Sequence, residues 1–396
     1  MATRPSPAAS IDPVNKFGLI APMNMVTRQR LINWTLMVVV LVLCFAAMEW
    51  IFRASPLSDR LGWASVKSVA ERVRQTPKKS TGTLRILGLG DSYTIYRDGQ
   101  GKNYLRVMEK MANQASQAVE VVNLSRPGVD LGFYEGVARQ YIDVLKPDLI
   151  TVGLYLGNDI PSKVLPPLNK VGVGFDIGLK EGIKKRSRLL NYSFRLLKGY
   201  IPALRSGQYH HALAITQKKY HISDQTLAAR LKKTDAEIIK LAESDAINPW
   251  DLVNGLIQPN RYRDLILQNP ASSAGAHVDA LFIMLKRLDE FAKKRGIPIV
   301  FITIPIRLQV SAADQKYFDR LGVKTGSDLI GETALQKKIS GMMRANGLRH
   351  FDILPALMSA KRDLFIPLDT HLNNDGQVVA GRHLYQYLKK QNMLKK

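Results

Sequence analysis

Four short blocks of this sequence hold residue types that together could transfer an acyl group. The first is Gly90-Asp91-Ser92-Tyr93, directly after the apolar run Leu84–Leu89. A serine in that place sits at the carboxyl end of a strand, and if a helix begins there, free N–H groups point outward beside it. Its hydroxyl becomes a nucleophile only with a base in reach. Without one it is an ordinary helix N-cap. The base candidate is His371, in Pro367-Leu368-Asp369-Thr370-His371-Leu372-Asn373. Asp369 can hold one imidazole nitrogen and leave the other for Ser92, the logic of a Ser–His–Asp triad, which is defined by roles and not by chain order. A surface D-x-H turn explains the same three residues without chemistry.

Acyl transfer also needs donors aimed where charge develops on the carbonyl oxygen. Gly128 closes the second apolar run in a Pro-Gly turn that leaves an N–H facing outward. Asn158 follows the third run and carries a side-chain amide. The Ser92 N–H is the third candidate. Each is common turn chemistry alone; their recurrence at successive strand ends is what points to a site. The other histidines read as structural or solvent-exposed: His210, His211 and His221 in a long interruption of the pattern, His277 and His383 on helices, His350 beside a strand. One cysteine, Cys44, excludes an internal disulfide and a cysteine-rich metal site. The chemistry needs no metal and no organic cofactor.

For these residues to converge, the chain must bring them to one edge. Apolar runs at 84–89, 119–124, 149–156, 297–306 and 348–354 alternate with helical spacing at 102–117, 131–146, 277–295, 329–346 and 374–390. That alternation predicts an α/β fold, a parallel sheet with helices on both faces. Sites in such sheets lie at the carboxyl ends of strands, where Gly90, Gly128, Gly157 and the segment near 370 fall. Residues 161–275 break the alternation and are too long for a loop. They are expected to form a basic helical cap inserted in a domain spanning 84–396.

The 396 residues carry 57 Lys and Arg against 33 Asp and Glu, a formal charge of +24, with 46% hydrophobic residues. This is globular composition and excludes a collagen-like or globally disordered chain. The positive excess suits an anionic neighbour. Nearly half of it lies in 180–233, where thirteen Lys and Arg against Glu181 and Asp224 give +11. There Lys184-Lys185-Arg186-Ser187-Arg188 leads into Leu189, Leu190, Tyr192 and Phe194. The stretch reads as a basic amphipathic helix for anionic lipid, as a groove for anionic glycan, or as a solvated face. Nucleic acid is not an expected partner, since no nucleic-acid-binding motif is present.

Residues 31–52, LINWTLMVVVLVLCFAAMEWIF, contain one charge, Glu49. As a helix they span about 33 Å, enough for a hydrocarbon core. Trp34 and Trp50 mark the two ends, as interfacial indoles do. No small-residue cleavage site follows, so an uncleaved transmembrane anchor is expected; a buried core helix and a cleaved signal peptide are the alternatives. Flanking charges are nearly balanced, with Arg28 and Arg30 before the span and Arg53, Arg60 and Lys67 after it. The expected layout is a flexible cytoplasmic tail (1–30), the anchor (31–52), a basic linker (53–83) and a body on the periplasmic side of a bacterial inner membrane.

Gly90-Asp91-Ser92-Tyr93, Asn123-Leu124-Ser125-Arg126-Pro127-Gly128, Gly157-Asn158-Asp159-Ile160 and Asp369-Thr370-His371 resemble, in order and strand placement, the blocks of the SGNH/GDSL hydrolases. The resemblance covers 84–160 and 277–390. It implies a flavodoxin-like three-layer α/β/α sandwich, Ser92 as nucleophile, His371 as base, and Gly128 and Asn158 completing the oxyanion hole with Ser92. Two departures stand out. Tyrosine replaces the leucine of the first block, and the last block is D-x-H where the family usually has D-x-x-H. The D-x-H form resembles the membrane-associated branches that act in polysaccharide O-acetylation. The expected function is a membrane-anchored serine esterase or acyltransferase, O-acetyl above all, acting on an acylated or anionic extracytoplasmic polysaccharide. A membrane O-acyltransferase or glycan synthase is the partner such a role implies. The competing expectation is a catalytically silent accessory or scaffold subunit of a polysaccharide synthesis or export complex.

Overall fold

The computed structural model describes residues 25–54, 69–95, 103–161, 163–165, 207–244, 246–269, 274–360, 362–366 and 369–395, with residues 187, 189, 193 and 272. Most of the expected tail, residues 55–68 of the linker, and the basic stretch holding Lys184, Lys185, Arg186 and Arg188 lie outside the described residues.

The five apolar runs become strands β1 (Leu84–Leu89), β2 (Val119–Asn123), β3 (Leu149–Tyr155), β4 (Ile299–Ile304) and β5 (Arg349–Asp352). All pair in parallel, in the order β2-β1-β3-β4-β5. β4 is shorter than its apolar run because Pro298 and Pro305 bracket it, and proline cannot donate to a ladder. Every position of β1, β3 and β4 is buried, as expected of strands with helices on both faces. Successive side chains divide between those faces. Leu87, Leu89, Val152 and Phe301 pack with the helices Leu131–Leu145, Ala274–Lys293 and Ala334–Ala345. Leu84, Ile86, Val300 and Ile302 pack with Tyr104–Gln114, Leu354–Ser359 and Asn374–Lys390.

The described part of the insertion is helical: Gly207–Lys219, Asp224–Leu231, Ala236–Glu243, Pro249–Ile257 and Arg261–Leu267. Tyr209, Leu227, Ile238, Leu252 and Ile266 join the first of the two cores, so the insertion is packed onto the sheet layer and does not stand apart from it. Within the linker, the helix Val69–Gln75 also has a task. Arg72 donates to the carbonyls of Asn123 and Ser125 at 2.6 and 2.7 Å and fastens the loop that leaves β2.

The amino-terminal helix runs Met25–Ala54. Its stretch Arg28–Ile51 is long and apolar enough to cross a membrane and is nowhere buried against protein; a signal sequence meets the same criteria. The Glu49 carboxylate accepts from the Ser187 hydroxyl at 2.7 Å and from the Leu189 amide at 2.9 Å.

Candidate active site

The chain runs outward from β1 to β2 and then returns past β1 to β3. At such a reversal the connections leave in opposite directions and open a crevice at the carboxyl ends of the strands. Ser92 follows β1 on one lip and Asn158 follows β3 on the other.

β1 ends at Gly90, with φ at +154°; a Cβ there would lie 2.2 Å from Thr94 Oγ1 and 3.1 Å from the Gly153 carbonyl oxygen. Only glycine allows so sharp an entry into the short helix Ser92–Ile95. Asp91 caps that helix, accepting from the Tyr93 amide at 2.8 Å. The Ser92 hydroxyl therefore does not serve as the cap. Its Oγ lies 2.8 Å from Nε2 of His371. Nδ1 of the same ring is hydrogen-bonded to Asp369 Oδ1, and that oxygen also accepts the His371 amide at 2.8 Å. A carboxylate facing Nδ1 fixes the proton there, so Nε2 is the acceptor and Ser92 the donor. The plain N-cap and surface-turn readings of these residues both fail, because the two segments meet each other across 279 positions of sequence.

His371 is held on a closed turn. The Ile366 amide donates to the His371 carbonyl at 3.0 Å and the Asn373 amide to that of Leu364 at 2.9 Å. Asn373 then caps the helix Asn374–Lys390 by accepting from the Gly376 amide at 2.9 Å. Burial opposes ionisation of Asp369, but the hydrogen bond and charge of the His371 ring, the His371 amide and the Arg307 guanidinium outweigh it and hold the carboxyl below its ordinary range.

Asn158 is brought to the same place. Its Nδ2 donates to Asp91 Oδ2 at 2.9 Å, next to the serine. One amide hydrogen is engaged there and the second remains for another acceptor. Asp91 is completely buried. Burial raises its pKa against the lowering pull of the Asn158 and Tyr93 hydrogen bonds and the His371 charge. Gly128 lies in the loop after β2, exposed, with φ at +70°. That loop is tied to β1 by the Leu124 amide on the Gly88 carbonyl at 2.8 Å and the Arg126 amide on the Gly90 carbonyl at 3.0 Å. No hydrogen bond joins Gly128 to Ser92 among the described residues.

Several neighbours escape a reading of motifs. Tyr93 lies between Tyr155 and His371, with ring centroids 3.6 and 4.3 Å away and stacked geometry on both sides. Its hydroxyl is hydrogen-bonded to Thr370. The aromatic ring at this position thus supports the imidazole plane, a task leucine could not perform with the same directionality. Arg307, 2% exposed, donates to the Ile366 carbonyl at 2.6 Å and to that of Asp369, clamping the His371 turn from below. Its one sequence signal is its place just past the carboxyl end of β4. Asp251, on the insertion helix Pro249–Ile257, has no such signal. Its carboxyl is raised to about 7 by burial and by the Asp369 charge, against His371 and Arg307, and its Oδ2 is buried without a hydrogen-bond partner among the described residues. His350, within β5, accepts or donates between Thr303 Oγ1 at 3.0 Å and Ser340 Oγ at 3.2 Å, and burial lowers it to about 4. It belongs to the packing of the sheet edge.

No family model matches the chain, and no curated protein matches its sequence. Solved structures do resemble it. A catalytic variant of an acetylxylan esterase from Geobacillus stearothermophilus is similar with a TM-score of 0.36 at 10% identity, covering 78% of this chain and 95% of that one. A psychrotrophic esterase from Pseudoalteromonas sp. gives 0.33 at 11% identity, covering 78% and 97%. A GDSL-like lipase from Bacteroides thetaiotaomicron gives 0.36 at 10% identity, covering 81% and 96%. At that level of identity and overlap, function has to be argued from the side chains themselves.

Proposed function

We propose that the chain is a membrane-anchored serine esterase or O-acyltransferase that acts on acyl groups, acetyl first among them, of an extracytoplasmic polysaccharide. The observation that carries this reading is the unbroken relay from Ser92 Oγ through the His371 ring to Asp369. Ser92 Oγ attacks the ester carbonyl carbon while its proton passes to His371 Nε2. Asp369 keeps the ring in the required tautomer and offsets its positive charge. The Ser92 and Gly128 amides and the free hydrogen of the Asn158 amide face the oxyanion. The C–O bond of the ester then breaks, and His371 returns the proton to the leaving alkoxide. In the second half, water or a sugar hydroxyl attacks the acyl-serine, gives its proton to His371 and frees Ser92. The apolar, unburied helix Arg28–Ile51 supports an anchor, and the D-x-H spacing supports the polysaccharide branch.

A serine-directed phosphonate is expected to label Ser92 stoichiometrically in the full-length, detergent-solubilised protein. Ser92→Ala and His371→Ala are each expected to slow release of acetate from an aryl acetate by roughly 10⁴–10⁶-fold, with the double variant little worse, because the pair acts as a unit. A folded protein that is neither labelled nor active would leave the scaffold role in place of catalysis.

A further inference from the structure

The crevice continues past Asn158 into a cavity of about 690 Å³, walled by the segment after β3, by the insertion helices and by His277. That size lies within the range of small-ligand sites, roughly 300–1,000 Å³. Its acidic side chains are already engaged by the protein. Asp130 caps the helix Leu131–Leu145, accepting from the Gly132 and Phe133 amides at 3.0 and 3.3 Å. Asp159 accepts from the Tyr134 hydroxyl at 2.9 Å and the Tyr155 amide at 2.8 Å. Asp264 accepts from Asn269 at 3.0 Å. Of the cations, Arg230 is also engaged, donating to the carbonyls of Leu256 and Ile257 at 2.6 and 2.9 Å.

Lys163 and Arg261 are different. Both line the cavity, and the side chain of neither has a hydrogen bond or ion pair among the described residues. Beside them stand neutral hydrogen-bonding groups. Gln258 has a buried Oε1 with no partner among the described residues, and burial and the Arg261 charge lower His277 from the ordinary histidine range. Two cationic side chains that make no direct pair with the acids of the wall are available to an anion, and a planar guanidinium matches a carboxylate in two-pronged fashion. The amides of Asn158, Gln258 and Asn260 around it suit hydroxyl groups and not a fatty acyl chain.

We propose that this cavity binds a carboxylate-bearing sugar, a uronic-acid unit of an acidic glycan, adjoining the position of the scissile ester. Its place in a reaction rests on the reading of Ser92 and His371 given above; the binding itself does not. Arg261 grips the carboxylate, Lys163 at the rim draws the polyanion in, and Gln258 Oε1 accepts from a ring hydroxyl.

The test is calorimetric titration of the full-length protein in detergent, carrying Ser92→Ala so that nothing turns over. The probes are an oligouronate, the same oligomer with its carboxyls reduced to alcohols, and a sugar phosphate. The oligouronate is expected to bind and to weaken with salt, and the reduced oligomer not to bind. Arg261→Gln is expected to weaken oligouronate binding by about tenfold or more, with partial recovery in Arg261→Lys. Equal binding of the reduced oligomer overturns the proposal. So does undiminished binding in a Lys163→Gln/Arg261→Gln variant that melts at the parent temperature, and so does binding of the phosphate without the uronate. Because the serine is absent throughout, loss of this subsite and loss of the esterase reading are separate results.

Discussion

The two ends of one crevice are built on opposite rules. At Ser92 the polar side chains are matched to one another: serine to histidine, histidine to Asp369, Asn158 to Asp91, Tyr93 to Thr370. Beyond Asn158 the acids are matched to protein donors while Lys163, Arg261 and the Gln258 carbonyl are left over. Reacting groups gain from being locked before the substrate arrives, since orientation is then not lost at the moment of reaction. Recognition groups gain from being unsatisfied, since the ligand then completes them. On the roles proposed above, the difference separates a site for chemistry from a site for grip.

The comparison breaks most visibly at Asp369. Asp369→Asn keeps the shape of the turn but removes the charge that sets the His371 tautomer, and kcat on an aryl acetate is expected to fall by up to roughly 10⁴-fold. A fall under tenfold would mean that the turn alone orients the ring. Asn158 stands at the junction of the two ends. Asn158→Ala removes one donor of the proposed oxyanion hole and should lower kcat by roughly 10²–10³-fold, with KM moving much less; a pure KM effect would assign Asn158 to the gripping side.

The smallest effect concerns stability. The folded carboxyl of Asp251 titrates at about 7, above the 3.8 of an ordinary aspartate, so the folded protein holds this proton more tightly than the unfolded one. Its contribution is fully present below the unfolded value and is lost as pH rises through about 7. Asp251→Asn should flatten the pH dependence of urea stability across that window and raise stability above it, by about 4 kcal/mol at most. Parallel curves for variant and parent would show that Asp251 is not titrating there.

Much of this architecture is written locally. β1 and the helix Asn374–Lys390 begin and end where their apolar and capping residues say, and the four site blocks announce themselves by residue type at strand ends. What is not written locally depends on distant packing. Nothing near Asp251 signals that an insertion helix brings a carboxyl within electrostatic reach of His371. Arg307 looks like any arginine after a strand until its guanidinium meets the carbonyls of a turn about 60 residues later. Lys163 and Arg261 look like ordinary surface cations, and what distinguishes them, the prior engagement of Asp130, Asp159 and Asp264, is a property of three-dimensional neighbours. His277 was the same kind of case: a helical histidine in sequence, a cavity wall in space.

The two-residue spacing of Asp369 and His371 has a consequence for how activity is lost. Acid and base share a single turn, latched by its own backbone bonds and by Arg307. They cannot drift apart without unravelling that turn, so they dock on β1 as one part. This part meets the short helix that carries Ser92 through the contact of His371 with Ser92, the stacking of His371 on Tyr93 and the bond between Tyr93 and Thr370. The proposed esterase activity is therefore expected to gauge whether the carboxy-terminal segment is seated. During unfolding it should vanish as soon as that segment lifts, while the sheet behind it still holds.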